Sequence, residues 1–478
     1  MKRLVIVIFI MFGAFLAFSL YRTYAYDTSV VEETPSTTDL EYTFKIGNSS
    51  IKQITVDSGE TRYYDVVLGN PNPAKISYSI YYEMVSPTTK PDNFKIEYTS
   101  KSTGESTGKV DKEGNITLNL VVTNTSSSAV TVKMGSVAGY VNGGELILGS
   151  GQTLIPKIPA NFVEALDDGT TGDTGNGVYK VEHSAIVNGD SATGKEIPAV
   201  TDYRYYGSSP NNYICLDMEG QSSCPDKHLY RIIGSIYEEK ENTNRIKVIK
   251  ATPLTDGATS TFSWDYTSGR SYSNIWATVT SGNYSNSLSS GSQLMKLLNS
   301  GAWWNGTNGS YYNNSTTATT VNFANYKLSD KAKSYISTSR YYLGGYSATN
   351  IQTSEMYRYE RGTLRYDTSR PLYWDGIVGL MYPSDYGYAA GNTCAMGTNL
   401  YRFDGGCSQK DWLNNGNNQW LMLSLSGNSA FAFSVFSSAG MGGNVVSNFY
   451  SVYPTFYFTS SVSISSGDGS IDNPYLLK

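Results

Sequence analysis

The chain has 478 residues, a net charge of −5 and only 16% charged side chains. At roughly 150 residues per domain that length accommodates two to four domains. The absence of a basic stripe excludes the usual electrostatic footprint of a nucleic-acid binder. Forty tyrosines and 46 glycines stand beside many serines, threonines and asparagines, which favours strands joined by frequent turns.

Met1-Lys2-Arg3 precedes an apolar run of 17 residues, Leu4 to Leu20. A short cationic start before a long apolar stretch is what the export machinery reads. At about 1.5 Å per helical residue the run nearly spans a bilayer core of roughly 30 Å. Lys2 and Arg3 precede it, whereas five acidic residues and no basic one lie between Tyr26 and Phe44. Basic residues stay in the cytoplasm, so the remainder of the chain is expected outside. Thr23 and Ala25 offer small residues for cleavage after Ala25, but Arg22 and Tyr24 crowd that site. Residues 1–25 therefore read as a retained anchor, with release by cleavage as the alternative. Residues 26–39 are acidic and unpatterned, and read as a stalk.

Residues 40–160 carry short alternating runs separated by turns. Lys52–Val56, Thr61–Leu68, Lys75–Glu83, Phe94–Tyr98, Asn115–Thr123 and Ala129–Val141 are expected strands. In Asn115–Thr123, the side chains of Ile116, Leu118, Leu120 and Val122 share one face. Turns fall at Asp57-Ser58-Gly59, Asn70-Pro71-Asn72-Pro73 and Asn142-Gly143-Gly144. About seven strands over this length predict an immunoglobulin-like β-sandwich. Residues 161–177 end in DDGTTGDTGNG and read as a flexible linker. Their aspartate spacing only superficially suggests a calcium loop, because no closing glutamate follows.

Residues 178–478 form the second expected domain. Strands are predicted around Ile214, at Leu229–Tyr237 and at Arg245–Ala251. Helices are predicted at Ser292–Asn299 and Leu328–Ile336, and further strands at Gly376–Tyr382, Trp420–Ser424, Ala430–Phe436 and Val452–Phe458. Strands, then helices, then strands argue an α+β domain, so the whole chain is expected to be mainly β with an α+β part. All four cysteines lie here. An even count in an exported chain reads as disulfides. Three pairings exist in principle, and the short intervening loops favour Cys215 with Cys224 and Cys394 with Cys407. Asp468, Asp472 and Asn473 near the end could offer calcium oxygens, but a turn before a short final strand suits them better.

Two stretches resemble known families. Residues 1–160, with ETRYYDVVLGNPNP, NITLNLVVTN and VAGYVNGGELIL, resemble membrane-anchored β-sandwich proteins of Gram-positive bacteria. Most of 200–478, with YRYYGSSPNNYICL, CPDKHLYRIIG, GIVGLMYPSDYGYA, QWLMLSLSG and SVYPTFYFTSSVSISSGDGSIDNPYLL, resembles bacterial surface domains of the C-type-lectin-like, formylglycine-generating-enzyme-like superfamily. The chain departs from that pattern where Tyr453 replaces an arginine before Pro454, and where Met422 and Leu423 occupy positions usually polar. The enzyme branch of that superfamily uses a reactive cysteine pair. With the cysteines read as structural, the resemblance implies fold and surface display rather than catalysis.

No nucleophile elbow, metalloprotease motif, dinucleotide loop or phosphate-binding loop occurs, and no cofactor or metal is expected. The two histidines, His183 and His228, sit beside the linker and beside a cysteine, and read as bystanders. Asp265 after Trp264 and Asp375 after Trp374 are the only candidate carboxylates for glycan hydrolysis, which needs two near an aromatic platform. Rigid aromatics among serine, glycine and asparagine favour binding instead. The candidate ligand-binding residues are Trp264, Trp276, Trp303, Trp304, Asn305, Tyr311, Tyr312 and Trp374. The leading expectation is a non-enzymatic surface protein that holds a glycan or surface-protein ligand. A structural envelope or fibre subunit and an extracellular glycan hydrolase are the alternatives.

Overall fold

The computed structural model describes residues 40, 42–46, 52–99, 102–140, 146–167, 169–266, 272–277, 291–299, 302–313, 315–347, 350–403 and 405–478. The expected anchor, the stalk and the turn at Asn142 to Gly144 lie outside these residues. Among the described residues no helix is long and apolar enough to cross a membrane. The fold is mainly β, and the chain divides into two compact units, 1–159 and 160–478.

The first unit contains β1 (Thr43–Ile46), β2 (Gln53–Val56), β3 (Glu60–Gly69), β4 (Ile76–Ser86), β5 (Phe94–Tyr98), β6 (Thr107–Val110), β7 (Asn115–Asn124), β8 (Val130–Tyr140) and β9 (Thr153–Leu154). One sheet has the order β1-β3-β7-β5. The other has the order β2-β8-β4-β6, with β9 also on β4. The expected alternation holds on β7, whose Ile116, Leu118, Leu120 and Val122 are all buried. They join Val66, Ile80, Ile96 and Val132 in one apolar cluster fed by both sheets. Each fully buried aliphatic side chain contributes about 1.5–3 kcal/mol, so this cluster holds the unit without a disulfide. Buried asparagines fasten the turns. Asn70 Nδ2 donates to the carbonyls of Ala74, Val110 and Asp111, and Asn124 Nδ2 donates to those of Val56 and Ser128.

The second unit is built on a large sheet. Its first strands are β10 (Gly177–His183), β11 (Val200–Tyr206), β12 (Tyr213–Cys215), β13 (Leu229–Glu238) and β14 (Thr243–Lys250). Helix α1 (Gln293–Asn299) follows, then β15 (Asn308–Tyr311), β16 (Thr319–Asn322) and helix α2 (Asp330–Ser334). Next come β17 (Ile336–Ser337), β18 (Ser339–Tyr342), helix α3 (Thr353–Glu360) and β19 (Tyr373–Gly376). Helices α4 (Pro383–Ala389) and α5 (Asn392–Gly397) precede the last strands: β20 (Gln419–Ser424), β21 (Phe431–Val435), β22 (Met441–Val445), β23 (Thr455–Phe458), β24 (Ile464–Ser466) and β25 (Tyr475–Leu477). The large sheet runs β17-β23-β14-β13-β12-β25-β24, with β11 also on β13 and β10 on β11. A bulge between Ile232 and Gly234 interrupts the β13–β14 register. A Cβ at Gly234 would lie 2.3 Å from the carbonyl oxygen of Tyr203, so only glycine lets β11 approach there.

Successive side chains in a strand point to opposite faces, which places Asp202 with Arg204 on β11 and Arg245 with Lys247 on β14. All four are buried. Asp385 of α4 joins the two strands: its Oδ1 accepts from Arg204 Nη1 at 2.9 Å and its Oδ2 from Lys247 Nζ at 2.6 Å. Arg204 also donates to Asp202 Oδ2 at 2.7 Å, and His183 Nε2 lies 2.9 Å from the same oxygen. Asp385 Oδ2 and Glu360 Oε1 take the backbone N–H groups of Tyr382 and Ser384, which caps the start of α4. Two carboxylates and two basic side chains alternate along this chain, so the buried charge balances. Tyrosines enclose it. Arg204 lies 4.8 Å from the ring centre of Tyr388, Lys247 4.2 Å from that of Tyr382, and Arg361 3.4 Å from that of Tyr357.

Three sequence expectations change. Residues 161–167 and 169–177 are no free linker: they belong to the second unit and are bonded to it. Val163 is buried, Asn161 Nδ2 donates to Ser235 Oγ at 2.8 Å, and Asp173 Oδ1 accepts from Thr393 N at 2.8 Å. Gly391, at φ +92°, lets the carbonyl of Gly172 approach, since a Cβ there would sit 2.2 Å from it. Gly376–Tyr382 does not form one strand. β19 ends at Gly376, Gly379 makes only an isolated bridge to Thr455, and Pro383 starts α4 with its ordinary first-turn preference. Leu328–Ile336 is helical only at Asp330–Ser334, as Ile336 is drawn into pairing with Phe458. The disulfides Cys215–Cys224 and Cys394–Cys407 are present, closing short loops.

Asp385→Asn leaves Lys247 and Arg204 underpaired in the interior. It is expected to lower the unfolding free energy by about 3–5 kcal/mol in denaturant titrations. The pH response has a definite sign. Arg204 beside Asp202, and Lys247 beside Asp385, hold those carboxyls below the usual carboxylate value despite their burial. Their contribution is complete above the unfolded value near 3.8 and is lost as pH falls through the folded values. Burial pushes Glu360 up to about 7, so it opposes this trend, costing stability as pH rises from 4.5 towards 7. Unfolding free energy measured from pH 2 to 8 should fall steeply at the acid end, and Glu360→Gln should remove the loss between pH 4.5 and 7.

Candidate functional site

Five of the eight residues expected at a ligand surface are core. Trp264, Trp276, Trp303, Tyr311 and Trp374 are each at most 2% exposed. The indoles pack edge to face, with ring centres 5.1 Å apart for Trp264 and Trp276 and 6.2 Å for Trp276 and Trp374. Their large apolar area gains most from burial, so they fill the interior rather than form a platform. Trp304 is half-buried with Lys333 5.2 Å from its ring centre, Asn305 is exposed, and Tyr312 is half-buried with its backbone bound to Gln293. These three do not converge with the others on a common cleft.

The two candidate hydrolytic carboxylates hold backbone and partners instead. Asp265 accepts from the backbone N–H groups of Ser273 and Gln293, and burial raises its pKa. Asp375 takes both Nε and Nη2 of Arg340, at 2.9 and 3.1 Å, in a bidentate pair across β18 and β19. His183 is stacked on Tyr357 with ring centres 3.5 Å apart, and burial lowers its pKa. His228 is fully buried with Nε2 3.0 Å from Glu219 Oε1. Among the described residues no three His, Cys, Asp or Glu side chains converge as a metal site would require. Asp468 Oδ1 accepts from Ser470 N at 2.9 Å, as in a turn.

The structure brings together a different set. A shallow, open groove lies between three segments: 275–277, the loop after α3, and the β20–β21 turn. The loop is pinned at both ends. Leu343 N donates to Leu372 O at 2.7 Å, and Gly345 N donates to Leu364 O at 2.9 Å. Arg365 ties the loop internally by donating to the carbonyls of Thr363, Asp367 and Thr368. The opposite wall hangs on Asn274, whose Nδ2 donates to the carbonyls of Leu425, Asn428 and Phe431. Arg370 crosses from the loop to Asn274 Oδ1, with Ser273 Oγ at 3.4 Å.

The groove is cationic and otherwise neutral. Arg365, Arg370, Tyr366, Ser424 and Ser426 line it beside Trp276, and no carboxylate does. Arg370 has only the outlying, half-exposed Asp367, at 3.4 Å, while Arg365 pairs with no carboxylate among the described residues. Tyr366 is 47% exposed, with the Arg370 guanidinium 5.2 Å from its ring centre. Ser426 Oγ and Trp276 Nε1 are buried and have no hydrogen-bond partner among the described residues. Of the expected binding residues only Trp276 lines this site, and it does so from the core. The signal missed in the sequence is the arginine–tyrosine interleaving of YRYERGTLRYDTSRP, which ends at Pro371.

Comparison with protein-family models, with curated proteins and with solved structures finds no match to this chain. The site therefore rests on its own geometry. Trp303→Ala, which empties a fully buried position, should cost about 3–5 kcal/mol. Trp304→Ala should cost less than half of that. Thermal melting of both variants checks this placement, and equal losses would contradict it.

Proposed function

We propose that this chain is a non-enzymatic bacterial cell-surface protein. In this reading an immunoglobulin-like first unit acts as a stalk for a C-type-lectin-like second unit that binds a glycan or surface-protein ligand. The observation that carries it is the open groove of the second unit, with its cationic lining and its buried hydroxyl lacking a partner. Ligand pockets combine apolar walls with a few placed polar groups.

The two disulfides support an oxidising compartment outside the cytoplasm, since such bonds persist there and are rare inside. That agrees with Lys2 and Arg3 before the apolar run, which would leave the chain anchored and its bulk outside, or secreted if cleaved after Ala25. Two antiparallel sheets feeding one core support the sandwich reading of the first unit. Of the two carboxylates singled out for a glycan hydrolase, Asp375 pairs with Arg340 and Asp265 takes backbone N–H groups.

Protease treatment of intact cells should remove both units while leaving an anchored N-terminal fragment. Full-length protein in detergent should retain ligands on a glycan array. Protection of both units from the protease would defeat the surface reading, and an array without retained ligands would defeat glycan recognition.

A further inference from the structure

We propose that Asn188 is a self-modification site: the backbone nitrogen of Gly189 attacks its side-chain amide and converts it, through a cyclic imide, to aspartate and isoaspartate. The co-reactant is water. This goes beyond the recognition reading above and does not rest on it.

The step balances within the chain and its solvent. Asparagine is among the chemically labile residues. The Gly189 nitrogen gives its proton to solvent hydroxide and bonds to Asn188 Cγ. The Cγ–Nδ2 bond breaks, and that nitrogen takes a proton from water and leaves as ammonia. Water then opens the imide at either of its two carbonyls. Opening at Cγ gives aspartate. Opening at the main-chain carbonyl gives isoaspartate, in which the chain runs through the former side chain. In sum an amide and a water become a carboxylate and an ammonium ion, with no oxidation.

The local structure leaves both reacting groups free. Ile186 and Ile197 exchange backbone hydrogen bonds, each 2.9 Å, and so close a loop. At its tip Asp190 N donates to Val187 O at 3.0 Å, which makes Asn188 and Gly189 the central residues of a tight turn. Val187, Asn188, Gly189 and Asp190 are all exposed. Gly189 takes φ +96°, which glycine adopts without steric cost, and a Cβ there would meet nothing within 4 Å. Among the described residues neither the Asn188 side chain nor the Gly189 nitrogen has a hydrogen-bond partner. Solvent reaches both, and no side chain stands beside the attacking nitrogen.

The other Asn–Gly pairs among the described residues are held. Asn176 Oδ1 accepts from Ser209 N at 2.8 Å, and Gly177 is paired with Tyr206 in the sheet. Gly306 N donates to Trp303 O at 3.1 Å, which occupies the nitrogen after Asn305. Asn308 and Gly309 lie in β15 opposite Asn322 and Val321, so their backbone is kept extended. Asn415 donates to Gln419 Oε1 at 3.0 Å and accepts from Asn417 N at 3.1 Å, while Gly416 N donates to Asn414 Oδ1 at 3.3 Å. One sequence pattern thus recurs, and the fold leaves it reactive at Asn188. The product stays folded, because the loop is anchored elsewhere, by Ile186 with Ile197 and by Ala192 N on Arg361 O at 2.7 Å.

The test is peptide mapping by mass spectrometry of the full-length protein, aged in mildly alkaline and in mildly acidic buffer. The peptide spanning Asn188 should gain the mass of –OH in place of –NH2 before the peptides of the other four pairs. It should do so faster in the alkaline buffer, and isoaspartate should appear beside aspartate. Ageing in urea should remove the lead of Asn188 by releasing the other four pairs. Asn188→Gln should show no early change at this position, since its longer side chain closes the ring much more slowly, and should keep the melting temperature. Modification of the other four pairs at the rate of Asn188 in the folded protein would overturn the proposal. So would an Asn188 peptide that changes only in urea, or a lowered melting temperature in Asn188→Gln. Aspartate without isoaspartate would mean direct hydrolysis and would overturn the attack by Gly189.

Discussion

The second unit depends on one constraint: charged side chains inserted beneath α4 must neutralise one another. Asp385 is the junction, taking Lys247 from β14, Arg204 from β11 and the backbone of Tyr382 at once. Isolated buried charges are prohibitive, and their mutual pairing in good geometry offsets much of that cost. Because each partner sits on a different element, the same pairing fixes where the sheet, α3 and α4 lie. Glu360 extends it by holding Ser384 through both backbone and hydroxyl.

Tyrosine has a different part from the one its abundance suggests. Many of the forty tyrosines face inward and cover cations. Tyr357, Tyr382 and Tyr388 enclose Arg361, Lys247 and Arg204, and Tyr457 lies near both Lys247 and Arg245. A tyrosine ring offers a negative face to a cation and apolar area to its other neighbours, so it suits a core that is neither oily nor wet. The chain thus combines a low charged fraction with a strongly ionic interior.

The groove follows from how the surrounding loops are fastened. Arg365 donates to the carbonyls of its own loop and Asn274 to those of the β20–β21 turn, which ties residues 272–277 to that turn. The recess lies between these fastened segments. The two arginines facing that recess are held by the fold itself, Arg365 by loop carbonyls and Arg370 by Asn274 and Asp367.

Period-two patterning alone determined most strands of the first unit, down to the buried face of β7, because a strand between water and core must alternate. The short loops between cysteines favoured the two disulfides that form, and the sequence pattern located β12, β13, β14 and β20. Tertiary structure decided the rest. The strand β1 and helix α4 carry no local pattern strong enough to declare them, and α4 is buried on every side, so no amphipathic stripe exists to read. Residues 161–177 look like a tether by composition but are held by Asn161 and Asp173 to partners far along the chain. The tryptophans looked like ligand platforms, yet whether an aromatic faces water or core depends on what the fold sets against it. The cationic groove needed three remote segments to meet, and no spacing within any one of them announces that meeting.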